Sequence, residues 1–173
     1  MPDQPPVRPR HGRRVVYDTS LLVSLAGRPD RPFATREALN DGRLVAVVCP
    51  ATLAELKDVL GREAVRTFYT PHLDLPEAEA FVRWLVGRAV LADDPPAAFA
   101  LRDDPKDSVF FDLAIANGCE LLVSFDRRHV LAVAEPGHPQ HDELVRLAPG
   151  LRPVHPATLA AELRDELLDP AGG

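Results

Sequence analysis

With 173 residues, 46% of them hydrophobic and 27% charged, the chain has the length of one domain and an ordinary globular composition. Its 20 Lys and Arg stand against 26 Asp and Glu, a net charge of −6, which argues against broad sequence-independent binding to a polyanion; only a small nucleic-acid footprint fits, with divalent cations neutralising acidic groups. Two cysteines, Cys49 and Cys119, make neither a disulfide framework nor a zinc motif and read as buried reduced thiols.

Residues 1–12 (MPDQPPVRPRHG) are rich in Pro and polar groups and read as a disordered tail, as residues 169–173 read as a flexible end. One domain is expected over 13–168. Its first element is a short β-branched strand at 15–17 (VVY), followed by a helix from 21 to 26 that Gly27 and Pro29 break. A helix is expected over 32–40, a second buried strand over 44–49 and a helix over 51–60 ending at Gly61. Helices over 63–69 and 76–87 follow; the second carries Ala80, Val82, Trp84, Leu85 and Val86 mostly on one apolar stripe, which places Trp84 in the core.

Residues 89–92 read as a short strand running into the turn Asp93-Asp94-Pro95-Pro96. The helix over 105–117 has the clearest end signals: Asp104 as cap, Pro105 at the first position and Gly118 at the end. A third buried strand covers 121–124. Residues 135–150 read as a loop holding a short helix at 142–147, then a last strand at 152–154 and a helix over 156–168. Alternating strands and helices argue for an α/β fold, a three-layer α/β/α sandwich with a mainly parallel sheet. The longest nearly apolar stretch, 44–54, contains Pro50 and is too short to span a bilayer. The N-terminus lacks a signal-like segment. No membrane association and a cytoplasmic location are therefore expected. His138 and His141 have helix-face spacing but no Cys or acidic partner to complete a ligand motif, and read as a surface pair.

Four carboxylates stand at joints between strands and helices. Asp18 ends the first strand, Glu55 lies in the first turns of the helix after the second, Asp107 opens the helix before the third, and Asp126 follows that strand. A parallel sheet gathers such joints along one edge, so acids up to 108 residues apart in sequence can share one pocket. Two carboxylates ~4 Å apart repel by roughly 4 kcal/mol at an effective dielectric of about 20. Four of them raise one another's pKa or demand a cation, and an all-oxygen set suits Mg²⁺ or Mn²⁺. Each acid also has a plain structural explanation. Glu55 could close a capping box with Thr52, Asp107 could favour a helix dipole, and Asp18 and Asp126 could be turn residues.

The segments 15–24 (VVYDTSLLVS), 51–60 (ATLAELKDVL), 104–118 (DPKDSVFFDLAIANG) and 121–126 (LLVSFD) resemble the PIN domain, most of all the bacterial branch of VapC-related toxin components of toxin–antitoxin systems. The resemblance covers roughly residues 13–162. It implies a parallel sheet in the order 3-2-1-4-5 and an endoribonuclease that hydrolyses RNA phosphodiester bonds with Mg²⁺ or Mn²⁺. Asp18, Glu55, Asp107 and Asp126 become the metal-binding and catalytic acids. Asp107 is preferred to Asp103 and Asp104 because it lies inside the helix, 11 residues before Gly118. Asp112 lies about 140° around the helix from Asp107 and is expected to face elsewhere.

Ser20 stands where the family's Asp-Thr-Asn phrase has Asn; its hydroxyl can bond a carboxylate or a metal-bound water. Ser20, Ser124, Lys106, Arg127 and Arg128 are the expected substrate contacts, the last three through flanking phosphates. An antitoxin partner and a homodimer are further implications of the resemblance. The competing reading is a non-catalytic PIN-like module that binds RNA or protein. A phosphate-handling enzyme with an Asp nucleophile after its first strand would want a second Asp at position 20, where this chain has Ser20.

Overall fold

The computed structural model describes residues 12–28, 34–68, 70 and 73–168. Strand β1 is Arg13–Tyr17 and is followed by helices α1 (Thr19–Ala26) and α2 (Ala34–Asp41). Strand β2 (Leu44–Val48) leads into α3 (Pro50–Gly61), α4 (Glu63–Phe68) and α5 (Leu75–Val86), then β3 (Ala89–Leu91). After a stretch without regular structure come a 3₁₀ turn (Pro105–Asp107), α6 (Ser108–Ala116) and β4 (Leu121–Val123). A second 3₁₀ turn (Ala132–Ala134), α7 (His141–Leu147), β5 (Arg152–Val154) and α8 (Pro156–Leu168) complete the domain.

The five strands form one sheet in the order β3-β2-β1-β4-β5, and every neighbouring pair is parallel. Alternation along each strand feeds two cores. Val15, Tyr17, Ala46, Val48, Leu121 and Val123 pack with α1, α2, α3, α5 and α8 on one face. Val16, Val47 and Leu122 meet Phe99, Leu101, Phe110, Phe111, Val130 and Leu144 on the other. The result is the expected three-layer α/β/α arrangement with the expected strand order. From β1 the chain builds outward to β2 and β3, then returns to the other side of β1 for β4. The joint between β1 and β4 is therefore the switch point where open α/β sheets form their crevice.

Several element ends differ from those expected, and the differences have physical causes. β1 reaches back to Arg13 because the backbones of Arg13 and Arg14 pair with Leu44 and Val45, whatever their side chains. Cys49 leaves β2 to become the N-cap residue of α3, and Asp94 accepts from Ala51 N at 2.8 Å, capping that helix from 43 residues away. α1 starts at Thr19, earlier than expected, because Asp18 accepts from Leu21 N and caps it. The helix expected over 105–117 is a 3₁₀ turn followed by α6 from Ser108, and Asp104 makes no side-chain capping bond. Residues 32–33 and Tyr69, expected in helices, and the tails 1–11 and 169–173 lie outside the described residues.

Both cysteines are buried and free, as expected; burial pushes the Cys119 thiol up to about 12. Trp84 is half-buried rather than enclosed. It stacks on Phe81, donates to Asn40 Oδ1 at 3.2 Å and has the guanidinium groups of Arg36 and Arg88 about its ring. Among the described residues no helix is long and apolar enough to cross a membrane.

Candidate active site

At the carboxyl ends of β1 and β4 lies a cleft of about 580 Å³ whose wall includes Asp18, Ser20, Glu55, Asp107, Phe125 and Asp126. The four acids singled out in the sequence thus reach one cavity from four separate segments. A somewhat larger groove between α3 and α5, about 670 Å³, is lined mainly by Leu60, Leu75, Ala78, Val82 and Val86 and gathers no comparable set of acids. Chemistry, rather than size, singles out the cleft.

Asp18 is the most enclosed of the four, 6% exposed. Its Oδ1 accepts from Leu21 N at 2.8 Å and from Ser20 Oγ at 2.9 Å, while its Oδ2 accepts from Ser124 Oγ. Burial raises its pKa, and these hydrogen bonds oppose the rise. Ser124, 0% exposed, also accepts from Asp126 N at 2.9 Å. One hydroxyl therefore links the side chain after β1 to the backbone after β4. Ser124 was expected to contact substrate, but its burial makes it a brace behind the cleft; the register of β4 beside β1 puts it there. Ser20 lines the cleft and holds Asp18 at the same time.

Asp107 ends the 3₁₀ turn at the start of α6 and is partly buried. Its pKa is pushed up to about 6, first by burial, then by the charges of Asp104, Asp18 and Glu55, with Lys106 opposing. That mutual repulsion is the electrostatic signature of acids sharing one site. Glu55 is exposed on the second turn of α3, and its side chain makes no hydrogen bond to another described residue. The capping box with Thr52 does not draw it in, because Thr52 Oγ1 serves Cys49, accepting from its N at 3.1 Å.

Asp126 Oδ1 accepts from Arg128 N and His129 N, both at 2.9 Å, and its Oδ2 lies 3.0 Å from His129 Nδ1. Burial would raise its pKa, but the two backbone N–H groups and the imidazole outweigh it and hold the carboxyl below its ordinary value. Lys106, Arg127 and Arg128 are exposed beside the cleft rather than in its described wall. Asp112 faces elsewhere: at 7% exposed it accepts from Ala98 N and Phe99 N, both at 2.8 Å, and holds that segment onto α6. His138 and His141 are part-exposed and bond locally, to Gln140 N and to Val133 O.

The four acids ring the cleft without closing into a cage. Among the described residues, only Asp104, Asp126 and His129 bring three potential ligand atoms within 4.8 Å of one another. Asp104 and His129 were missed as site residues. The Asp126-to-His129 spacing of three carried the signal, but it becomes a contact only once a tight turn after β4 is recognised. With carboxylate oxygens from Asp18, Glu55, Asp107 and Asp126 and a nearby imidazole, the donor set fits a hard or borderline divalent cation.

Comparison with known proteins agrees with this architecture. Among solved structures, PAE2754 from Pyrobaculum aerophilum is similar at 21% identity and a TM-score of 0.51, over 91% of this chain and 94% of that one. VapBC2 from Rickettsia felis, solved bound to a DNA fragment from their promoter, is similar at 13% identity and a TM-score of 0.51, over 82% of this chain and 98% of that one. No curated protein matches. A family model for the PIN domain matches residues 14–128, a span that contains all four cleft acids, and the chain belongs to the PIN domain family.

Proposed function

We propose that the chain is an endoribonuclease that hydrolyses RNA phosphodiester bonds with a divalent cation, and that it acts as the toxin of a VapC-type toxin–antitoxin pair. One observation carries the reading: in a PIN-family chain, Asp18, Glu55, Asp107 and Asp126 line a single cleft at the carboxyl edge of the sheet. When bound there, Mg²⁺ or Mn²⁺ would neutralise the acids, acidify a water and polarise the scissile phosphate. Asp18, Asp107 and Asp126 are the residues to hold it.

Asp18 is rigid, fixed by Ser20, Ser124 and the first turn of α1. Preorganised oxygens of this kind suit a small cation that tolerates little distortion. Asp107 must be deprotonated to act as a ligand, so cation binding is expected to weaken below about pH 6. Glu55, exposed and with a carboxylate that bonds no other described residue, serves as a further ligand or orients the attacking water. Ser20 faces the cleft and can meet the substrate's edge. Lys106, Arg127 and Arg128, exposed beside it, would meet flanking phosphates. The chain's net charge of −6 restricts such contact to this small footprint.

The motif resemblance supports an antitoxin partner and a homodimer, and we place the action in the cytoplasm. The test is cleavage of structured and unstructured RNAs with Mg²⁺, Mn²⁺ or EDTA beside an Asp18→Asn control. Divalent-dependent cleavage that vanishes in the variant supports the reading. RNA binding without cleavage under every metal would replace it with a non-catalytic PIN-like module.

A further inference from the structure

Asp104, Asp126 and His129 stand at the rim of the cleft, where one oxygen from each carboxylate and one ring nitrogen lie within 4.8 Å of one another. Two independent pieces of framework bring them together. Asp126 and His129 share a tight turn after β4: Arg128 N and His129 N hold Oδ1, which leaves Oδ2 facing Nδ1 at 3.0 Å. Asp104 arrives from a different segment, the irregular stretch ahead of α6.

That stretch is irregular but firmly held. Asp112 accepts from Ala98 N and Phe99 N, and Ser108 Oγ accepts from Leu101 N at 2.9 Å. Gln140, 1% exposed, grips it at two points: its Oε1 accepts from Arg102 N at 3.0 Å and its Nε2 donates to Ala100 O at 2.8 Å. Asp104 O then accepts from Asp107 N at 3.0 Å. The carboxylate of Asp104 is left out of helix capping, and its ion-pair partner among the described residues is the highly exposed Lys106 at 3.8 Å. An exposed pair of that kind contributes little and competes weakly with a cation. Asp104 also repels Asp107, so it links the acidic cleft to His129.

The spacing suits a small divalent ion. Donors on adjacent corners of an octahedron with ~2.1 Å bonds stand ~3.0 Å apart, and opposite corners ~4.2 Å. The 3.0 Å hydrogen-bond contact between His129 Nδ1 and Asp126 Oδ2 matches an edge, and an ion bound there would take the place of the proton between the two atoms. We propose that Asp104 and His129 extend the acidic cleft into a mixed nitrogen–oxygen cation position that shares Asp126, and that the imidazole turns its preference toward a borderline first-row ion, Mn²⁺ or Co²⁺, over Mg²⁺. The inference rests on the metal-binding reading of the cleft and specifies the chemistry at its rim. Imidazole suits first-row transition ions, whereas carboxylate and water alone suit Mg²⁺.

The experiment uses the full chain, stripped with EDTA and reloaded with MnCl₂, and reads electron spin echo modulation of the bound Mn²⁺. The wild type is expected to show the ¹⁴N coupling of a directly bound imidazole. His129→Gln should lose that coupling together with roughly 10–100-fold in Mn²⁺ affinity, while Mg²⁺ affinity changes much less. Asp18→Asn should keep the nitrogen signal, and Asp104→Asn should keep it with weakened Mn²⁺ binding, which preserves the test if His129→Gln folds poorly. Bound Mn²⁺ without ¹⁴N coupling would overturn the rim position and leave the cleft reading intact. Coupling that survives in folded His129→Gln would overturn it too, by assigning the nitrogen to another histidine. Failure of the wild type to bind Mn²⁺ at all would remove both readings.

Discussion

Replacing Asp107 with Asn should make the metal-free protein more stable at neutral pH. The carboxyl of Asp107 has a folded pKa of about 6 against an ordinary 3.8. Between those values the folded chain holds more protons than the unfolded one, so this contribution is full below about pH 4 and is lost as pH rises through about 6. A shift of about two units corresponds to roughly 3 kcal/mol. The group is only partly buried, so solvent screening reduces that to roughly 1.5 kcal/mol. The variant also gives up an attraction between the carboxylate and the N-terminus of α6, about 0.5 kcal/mol; no side-chain capping bond is lost with it. The expected net gain is about 1 kcal/mol at pH 7.5 and falls to about 0.5 kcal/mol or less at pH 4.5.

Urea unfolding in EDTA at the two pH values measures both numbers. Repeating the pH 7.5 experiment with Mn²⁺ should invert the ranking, because a ligand at 100 times its Kd stabilises the wild type by about 2.7 kcal/mol and the variant by less. If Asp107→Asn proves less stable than the wild type in EDTA at pH 7.5, or if the difference between them is independent of pH, then neither burial nor its acidic neighbours penalise the Asp107 carboxylate and the electrostatic account of the cleft fails.

Asp18→Asn should abolish divalent-dependent RNA cleavage while circular dichroism stays unchanged, because Asn caps α1 about as well as Asp; full activity would take Asp18 out of the site. Ser124→Ala should cost roughly 1–3 kcal/mol in urea unfolding, since it strips a donor from buried Asp18 and an acceptor from Asp126 N at once. A loss under about 0.5 kcal/mol would mean that the brace between β1 and β4 is not structural. Arg127→Ala combined with Arg128→Ala should weaken RNA binding and flatten its dependence on salt, and unaltered affinity across salt concentrations would return both side chains to the solvent.

The layers and the buried strands were legible because the strands are short β-branched runs, whose alternate residues feed opposite faces; the strand order was an implication of the motif resemblance alone. Asp18 was legible for the same reason: a carboxylate directly after a wholly apolar strand stands out. What stayed hidden depended on contacts between distant segments. The N-terminus of α3 is capped by Asp94, and no local pattern announces a capping residue so far along the chain. Thr52 folds back on Cys49, which frees Glu55 from the capping role that its spacing suggested. Asp104 looked like a helix cap because Pro105 follows it. The 3₁₀ turn instead leaves its carboxylate out of the capping, beside Asp126 and His129. Ser124 was expected to contact substrate, yet its place directly after β4, beside β1, buries it against Asp18. Local chemistry reveals which residues are acidic and which elements carry them; tertiary register decides which way each one faces.

Anomalous diffraction from crystals soaked in Mn²⁺ addresses the claim that the cleft acids form a cation site most directly. The account predicts an anomalous peak inside the cleft, with oxygens of Asp18 and Asp107 within direct coordination distance of it, and its loss in Asp18→Asn. Well-diffracting crystals that show Mn²⁺ only at scattered surface carboxylates, with the cleft acids still apart, would contradict it.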